Sequence, residues 1–270
     1  MEKSDLRNQD SEERDATPVE ASENSRKSQE RGKKSGKNRA TKFRAKFLDT
    51  YYGHPMKDMK LIAITGTAGK VEVAHFVHEI LRAAGQPVAI MASESNIKVA
   101  ALHKFLSKAW KAGANYVVVT APAEALEGDV FYGLPIHVAA ITDYMDASIA
   151  ETPVDDYVEA GSTLFKMDPD YVVLNRDDKN YPELAAFAGQ KGTLTYGRDK
   201  FSNIQIEDAA LYKKGVEAEL AIGTTHFTVA SFLPGEPVVS YMAAATAIAD
   251  ALHVTPEKIA EGIANYTTKS

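Results

Sequence analysis

The chain has 270 residues, which is room for one large domain or two small ones. It is 44% hydrophobic and contains no cysteine, so it can bury a sizeable core but has no disulfides, thiolate metal sites or cysteine nucleophiles. The formal net charge of −6 is spread unevenly. Residues 1–25 carry eight acids and three bases, residues 26–47 carry ten bases and one acid, and the remainder carries 28 acids and 18 bases. The acidic body argues against nucleic-acid binding by the fold itself.

The first 47 residues are rich in charged and polar side chains and almost free of large apolar ones. Such a segment cannot bury enough surface to offset its ordering entropy, so we predict a disordered charged tail over 1–47 and one domain over 48–270. The basic half of this tail suits contact with anionic lipid, RNA or an acidic protein, and a solvated tail without a partner is the alternative. With no secretory signal and no transmembrane segment, we expect a cytoplasmic soluble protein.

Apolar strands and amphipathic helices alternate from residue 60 onward. The predicted strands are Leu61–Thr65, Pro87–Ala92, Tyr116–Ala121, Ile136–Thr142, Tyr171–Leu174 and Gly192–Tyr196. The predicted helices between them are Val71–Ala84, Ile97–Ala112, Pro153–Phe165 and Tyr181–Ala188. Continuous apolar strands separated by helices indicate an α/β fold, with a mostly parallel sheet flanked by helices on both faces.

The pattern changes between residues 201 and 232, where short alternating segments with glycine at the turns predict a small antiparallel β section. The predicted strands there are Ile204–Ile206, Leu211–Tyr212, Glu217–Ile222 and His226–Ala230. Two helices, Val238–Leu252 and Pro256–Asn265, are predicted to close the chain.

The turn after the first strand has the layout of a loop that cradles phosphate. Backbone N–H groups of a glycine turn, backed by a helix N-terminus, attract phosphate, and the lysine adds a positive charge. The generic phosphate-loop pattern does not match at two positions. It has glycine where this chain has Ile64, and Ser or Thr, whose hydroxyl binds Mg²⁺, where this chain has Val71. An ordinary glycine turn is the alternative. The candidate nucleotide-binding residues of this P-loop are Thr65, Gly66, Thr67, Ala68, Gly69, Lys70 and Val71.

The variant Thr-Gly-Thr-x-Gly-Lys at Thr65–Lys70, after a strand and opening a helix, resembles the ATP loop of the Mur ligases, the ATP-dependent amide ligases of peptidoglycan synthesis in the cell wall. Folylpolyglutamate synthases and cyanophycin synthetases are relatives of that family. The resemblance covers roughly residues 58–268, the length of a Mur central domain. It implies that the family's N-terminal UDP-sugar domain and C-terminal domain are absent from this chain.

Two later strands extend the resemblance. His137–Asp143 is similar to a family strand that ends in Thr-Asn, and Tyr171–Asp178 is similar to a strand followed by Asn-x-Asp-Asp. The family's asparagine lies beside the adenine, which makes Asn175 the candidate base contact here. Capping of the next helix is the alternative role for Asp177 and Asp178.

The resemblance also implies that the metal ligands of the family are lost. Val71 replaces the loop hydroxyl, and Thr120 stands where the family has a metal-binding glutamate; Glu124, four residues further on, is the alternative ligand there. Ala147, after Asp146, replaces a metal-binding histidine. Further replacements are Gly161 for a carbamylated lysine, and Val238 and Tyr241 for two asparagines. Mg²⁺ binds oxygen ligands, mostly carboxylates, and these replacements remove them. We therefore assign no metal-binding and no catalytic residue, and we expect ATP to bind weakly at most.

These observations leave three hypotheses open. The first is a degenerate Mur-type central domain, a pseudoenzyme with weak nucleotide binding and a binding or regulatory role, exerted through its tail or by pairing with an active homologous ligase. The second is an active ATP-dependent UDP-N-acetylmuramoyl-peptide ligase with atypical metal ligands or a partner that supplies the missing domains. The third is an unrelated nucleotide-binding or phosphate-binding domain, whose mark would be a different sheet order.

Overall fold

The computed structural model describes residues 38–143, 157–189 and 192–267. The strands are β1 (Lys60–Thr65), β2 (Val88–Met91), β3 (Tyr116–Thr120), β4 (Ile136–Ile141), β5 (Tyr171–Asn175), β6 (Thr193–Gly197), β7 (Ile204–Tyr212), β8 (Gly215–Ile222) and β9 (Thr225–Ser231). The helices are α1 (residues 38–51), α2 (Lys70–Ala83), α3 (Val99–Lys111), α4 (Ala123–Glu127), α5 (Tyr157–Phe165), α6 (Tyr181–Ala188), α7 (Pro237–Ala251) and α8 (Pro256–Asn265). A short 3-10 turn, Pro55–Lys57, precedes β1.

The nine strands within the described residues form a single sheet, in the order β2-β3-β1-β4-β5-β6-β7-β8-β9. All pairings from β2 to β7 are parallel, and β8 is antiparallel to both of its neighbours, β7 and β9. The predicted α/β fold with a mostly parallel sheet and a small antiparallel section is confirmed. The carboxyl ends of β1, β3, β4 and β5 share one edge of the sheet, which is where α/β proteins place their ligand sites.

Alternate side chains of the parallel strands enter two separate cores. Ile62 and Ile64 of β1 face α2, α7 and α8, whereas Leu61 and Ala63 face α3 and its neighbours. This burial on both faces explains why β1 is apolar throughout instead of alternating with polar residues. Helix α7 is apolar nearly all round because it lies within the first core, where eleven of its residues are buried.

The structure corrects the predicted antiparallel section. Two short strands, Ile204–Ile206 and Leu211–Tyr212, were expected, but they are the two ends of one strand, β7. The pairing of β7 with β8 shifts between Ile206 and Asp208, and this irregularity breaks the alternation that a regular strand would show in sequence. The predicted helix Pro153–Phe165 is described only as α5, since residues 153–156 lie outside the described residues.

The structure also corrects the boundary of the predicted disordered tail. Residues 38–47 belong to α1, and residues 1–37 lie outside the described residues. Ala45 is 1% exposed, and Lys42 pairs with Asp129 at 3.4 Å and lies over the Tyr132 ring. Because small and charged residues make these contacts, the sequence shows no strongly apolar face there. None of the described helices is long and apolar enough to cross a membrane.

His103 of α3 is fully buried, and neither of its ring nitrogens has a hydrogen-bond partner within the described residues. Burial lowers the pKa of His103 below the ordinary value of 6.5, and the nearby Asp49 opposes this shift only in part. The folded protein therefore holds His103 neutral, while the unfolded chain takes up a proton near pH 6.5. The free energy of unfolding therefore does not depend on His103 titration above pH 6.5, and it decreases as the pH falls below 6.5, because protonation then favours the unfolded chain.

We predict that His103→Leu raises the free energy of unfolding at pH 7.5 by about 1 kcal/mol, because it removes an unpartnered buried polar ring. It should also reduce the loss of stability between pH 7.5 and pH 5.5. Urea unfolding at both pH values measures both effects. Ser107→Ala, at a buried residue of the same helix that carries no titratable group, serves as the control and should leave the pH dependence unchanged. A variant as acid-sensitive as the parent protein would contradict the assignment.

Candidate functional site

The predicted phosphate loop lies at the carboxyl edge of the sheet, between β1 and α2. Thr65 is the buried last residue of β1, Gly66 packs against Thr142, and Lys70 is the first residue of α2. Because β1 lies between β3 and β4, the ends of three strands surround this loop. The geometry is that of a strand, a glycine turn and a helix N-terminus, as the sequence predicts.

The loop is closed by hydrogen bonds to the residues that follow β4. The Thr142 N–H donates to the Thr65 carbonyl (2.8 Å), and the Thr142 hydroxyl donates to the Ala68 carbonyl (2.6 Å). In the other direction, the Thr67 and Ala68 N–H groups donate to the Asp143 carbonyl at 3.2 and 3.4 Å, and the Thr67 hydroxyl donates to the same oxygen at 2.9 Å. Two amides that a phosphate cradle would turn toward an anion are therefore engaged within the protein.

The ring of Tyr241, from α7, covers Gly69. Gly69 is the N-terminal cap of α2 and has φ 76°, a left-handed conformation that glycine adopts without strain. A Cβ at this position would lie 2.5 Å from Cδ1 and 2.6 Å from Cζ of Tyr241, so only glycine fits beneath the ring. Burial, followed by the charge of Asp143, raises the pKa of Tyr241 to about 12, which keeps its hydroxyl neutral.

The ammonium group of Lys70 is nearly buried and forms an ion pair with Glu94. The Lys70 side chain is 7% exposed, whereas Glu94, in the loop between β2 and α3, is 63% exposed. The pair therefore joins a fixed cation inside the loop to a carboxylate at the protein surface. A polyphosphate that approaches Lys70 must displace Glu94.

Asp143 connects the loop with Asn175, the predicted base contact. The Asn175 amide donates to Asp143 Oδ1 at 2.5 Å, and the Ser240 hydroxyl from α7 donates to the same atom at 3.3 Å. Burial raises the pKa of Asp143, and the hydrogen bonds from Asn175 and Ser240 oppose this rise. Asn175 Oδ1 also accepts the Asp177 N–H (2.9 Å). In the described structure, the hydrogen-bonding groups of Asn175 therefore face the protein.

The two aspartates after Asn175 have separate roles. The Asp177 carboxylate accepts the N–H groups of Arg198 and Asp199, at 2.6 and 3.0 Å, and so closes the turn after β6. Asp178 Oδ1 accepts the Asn180 N–H at 2.7 Å, immediately before α6. The N-cap of α6 is Asn180, without a side-chain cap hydrogen bond, so Asp178 closes the turn before the helix and neither aspartate caps it.

Thr120 ends β3 and is fully buried. Its hydroxyl accepts the Ser93 N–H (2.8 Å) and donates to the Ser93 carbonyl (2.9 Å), which ties β3 to the loop after β2. Both hydrogen-bonding functions of this neutral oxygen are thus used on backbone. Val71, on the first turn of α2, has only methyl groups to offer. Neither side chain fits the hard-oxygen requirement of Mg²⁺.

The remaining replaced positions lie on α5 and α7 or outside the described residues. Gly161 and Val238 are buried in their helices. Asp146 and Ala147 lie outside the described residues. Over the described ranges, no group of three or more His, Asp or Glu side chains is placed to hold a metal ion.

Three residues that contact the predicted loop or the predicted base contact had no assigned role. Asp143 and Ser240 meet Asn175, and Glu94 holds Lys70. Asp143 could have been found from its place after an apolar strand, since the carboxyl ends of parallel strands line ligand sites. Glu94 has no such signal, because it lies in a polar loop whose path the local sequence does not determine.

Comparison with known proteins identifies the family of the chain. The model of the Mur ligase middle domain matches residues 64–249, and the chain belongs to that family. Among relatives, the UDP-N-acetylmuramoyl-L-alanyl-D-glutamate--2,6-diaminopimelate ligase of Bacillus licheniformis is 30% identical over an alignment of 242 residues that covers 80% of this chain and 48% of the relative. The chain thus spans about half the length of the curated relatives it matches.

Solved structures agree on the fold. A UDP-N-acetylmuramoyl-L-alanyl-D-glutamate--2,6-diaminopimelate ligase matches with a TM-score of 0.75 at 21% identity, over 86% of this chain and 50% of the other. The folylpolyglutamate synthase of Mycobacterium tuberculosis, complexed with ADP, matches with a TM-score of 0.71 at 16% identity, over 84% and 62%. The family match and the curated relative contradict the third hypothesis, an unrelated domain, and relate the chain to the Mur ligases.

Proposed function

We propose that this chain is a Mur-type nucleotide-binding module with impaired ligase chemistry, which acts as a binding or regulatory protein, with an active homologous ligase as its partner. The observation that carries the proposal is Thr120. Where the resemblance implies a metal-binding carboxylate, a neutral and fully buried hydroxyl is bound to the backbone of Ser93. Phosphoryl transfer depends on divalent ions that neutralise the phosphate charges, and Val71 removes a second expected ligand.

Weak nucleotide binding remains part of the proposal because the N-terminus of α2 and Lys70 can still attract phosphate. The ion pair of Lys70 with Glu94 and the internal hydrogen bonds of Thr67 and Ala68 oppose it. An arriving triphosphate therefore has to exchange existing contacts for new ones. The proposed nucleotide-binding residues are those of the loop from Thr65 to Val71, with Asn175 for the base.

Isothermal titration calorimetry with ATP, in the presence and absence of Mg²⁺, tests this proposal. We expect weak binding whose dissociation constant changes by less than about threefold on adding Mg²⁺, since the side chains offer the ion few oxygen ligands. Lys70→Ala is the control for the location of the site and should abolish the remaining binding. Tightening by Mg²⁺ of about a hundredfold would contradict the proposal.

An active ligase is the second candidate, and the printed activity of the curated relatives favours it. Its test is the release of phosphate from ATP when UDP-muramoyl precursors and amino acids are added, with candidate partner proteins present. Release that depends on both substrates and disappears in Lys70→Ala would establish this second candidate. Absence of release across all precursors would support the first.

A further inference from the structure

The outer face of α1 carries a stripe of exposed aromatic side chains. Phe43, Phe47 and Tyr51 are 76%, 60% and 70% exposed. Their spacing of four residues places them on one side of the helix, along about 12 Å of its length. The rings of Phe47 and Tyr51 are stacked, with centroids 6.2 Å apart. We call these three residues the aromatic stripe.

The opposite face of α1 is already occupied, so the direction of the aromatic stripe is fixed. Ala45 is 1% exposed and belongs to the second core, and Leu48 packs against that core. Lys42 is tied to Asp129 and Tyr132. The buried face of α1 therefore accounts for its attachment to the domain, and the exposed aromatic stripe indicates an interaction site, because contiguous exposed apolar surface marks such sites.

Positive charge surrounds the aromatic stripe. Arg44 and Lys46 are exposed and flank it on its two sides along the helix, although the Lys46 ammonium also lies 5.7 Å from the centroid of the Tyr132 ring. The segment from 26 to 47 carries ten bases and one acid, in a protein whose other residues are acidic overall. The complement of this surface is therefore apolar at the centre and negatively charged around it.

We propose that the aromatic stripe docks on the surface of a lipid bilayer that contains anionic lipid. The phenyl rings would enter the boundary between headgroups and acyl chains, and the Tyr51 hydroxyl would stay at headgroup level. Arg44 and Lys46 would contact the lipid phosphates. The acidic remainder of the protein is repelled by the same surface, so the charge distribution orients α1 toward the bilayer.

RNA fits this surface less well. Single-stranded nucleic acid binds where a basic groove presents free aromatic faces on which successive bases stack. The aromatic stripe is instead a ridge on a helix, and Phe47 and Tyr51 are stacked on one another, which leaves fewer faces free. Bilayer insertion makes no such demand, because it needs only apolar area and basic flanks.

Co-sedimentation of the full chain with vesicles tests the proposal. We expect binding to phosphatidylcholine vesicles that contain about 30% phosphatidylglycerol, little binding to pure phosphatidylcholine, and weaker binding at high salt. The double substitution Phe43→Ala and Phe47→Ala should weaken partitioning about tenfold while leaving the folded protein intact, since both side chains are exposed and alanine favours helix. Thermal unfolding by circular dichroism checks the fold.

Phe232→Ala is the matched control, because Phe232 is 65% exposed but lies at the end of β9, far along the chain from α1. It should leave vesicle binding unchanged. Three outcomes would overturn the proposal. The first is vesicle binding that persists in the double variant. The second is tight binding of single-stranded RNA without binding to anionic vesicles. The third is a dimer that the double substitution dissociates, which would assign the aromatic stripe to a second copy of the chain.

Discussion

Gly262→Ala is expected to lower the free energy of unfolding by about 2 kcal/mol. Gly262 lies on α8 where that helix crosses α2, and a Cβ there would lie 2.5 Å from the backbone nitrogen and 2.8 Å from Cγ1 of Ile80. Backbone cannot move aside as the end of a flexible side chain can, so the two helices must separate. Overpacking of this kind typically costs 1–3 kcal/mol, and the helix propensity gained from alanine offsets only about 1 kcal/mol of that.

Urea unfolding of Gly262→Ala beside Glu261→Ala measures this effect. Glu261 is the preceding residue of the same helix and is exposed, with a surface ion pair to Lys258 at 2.7 Å. Its replacement should change the free energy of unfolding by less than about 0.5 kcal/mol. If both variants unfold at the same urea concentration, the close packing of α8 on α2 at Gly262 does not contribute to stability as predicted.

The second large effect concerns access to Lys70. Glu94→Gln should tighten ATP binding about 20-fold, because it removes the carboxylate that competes with phosphate for a nearly buried ammonium. The substitution keeps the size of the side chain, so the loop after β2 need not rearrange. Calorimetry with ATP at low ionic strength gives the dissociation constants directly.

Glu72→Gln is the matched control for this substitution. Glu72 lies on the first turn of α2, and its replacement removes a negative charge from the same region without releasing Lys70. A change of less than about threefold is expected. In the double variant Glu94→Gln with Lys70→Ala, the gain should disappear, since the two residues act through one another. Equal affinity of Glu94→Gln and the parent protein would mean that the ion pair does not control the loop.

The sequence predicts the fold well where burial is continuous and poorly where it is not. Strand β1 and its helix α2 follow from an apolar run and a helical stripe, both of which report burial directly. Strand β7 was divided in two because a shifted pairing near Asp208 exposes consecutive residues. Helix α1 was missed because its aromatic residues point outward and its inner face rests on small contacts such as Ala45.

For the candidate site, the loop itself was predictable and its partners were not. A glycine turn between strand and helix is a local pattern, and the structure places it as expected between β1 and α2. Glu94 lies 24 residues after its partner Lys70, and Ser240 lies 97 residues after its partner Asp143. The positions of the loop and the helix that carry them depend on the whole fold. No local sequence pattern predicts these long-range contacts.

The junction between β6 and β7 bears on how the molecule opens. These strands pair through two residue pairs alone, Tyr196 with Ile204 and Gly197 with Gln205, whereas β7 and β8 pair along eight. The antiparallel section is therefore joined to the parallel strands mainly by side chains of α7 and α8, and hardly by shared backbone hydrogen bonds. Amide hydrogens on either side of this junction can exchange with solvent as two separate cooperative units, so that one half of the sheet can open while the other stays closed.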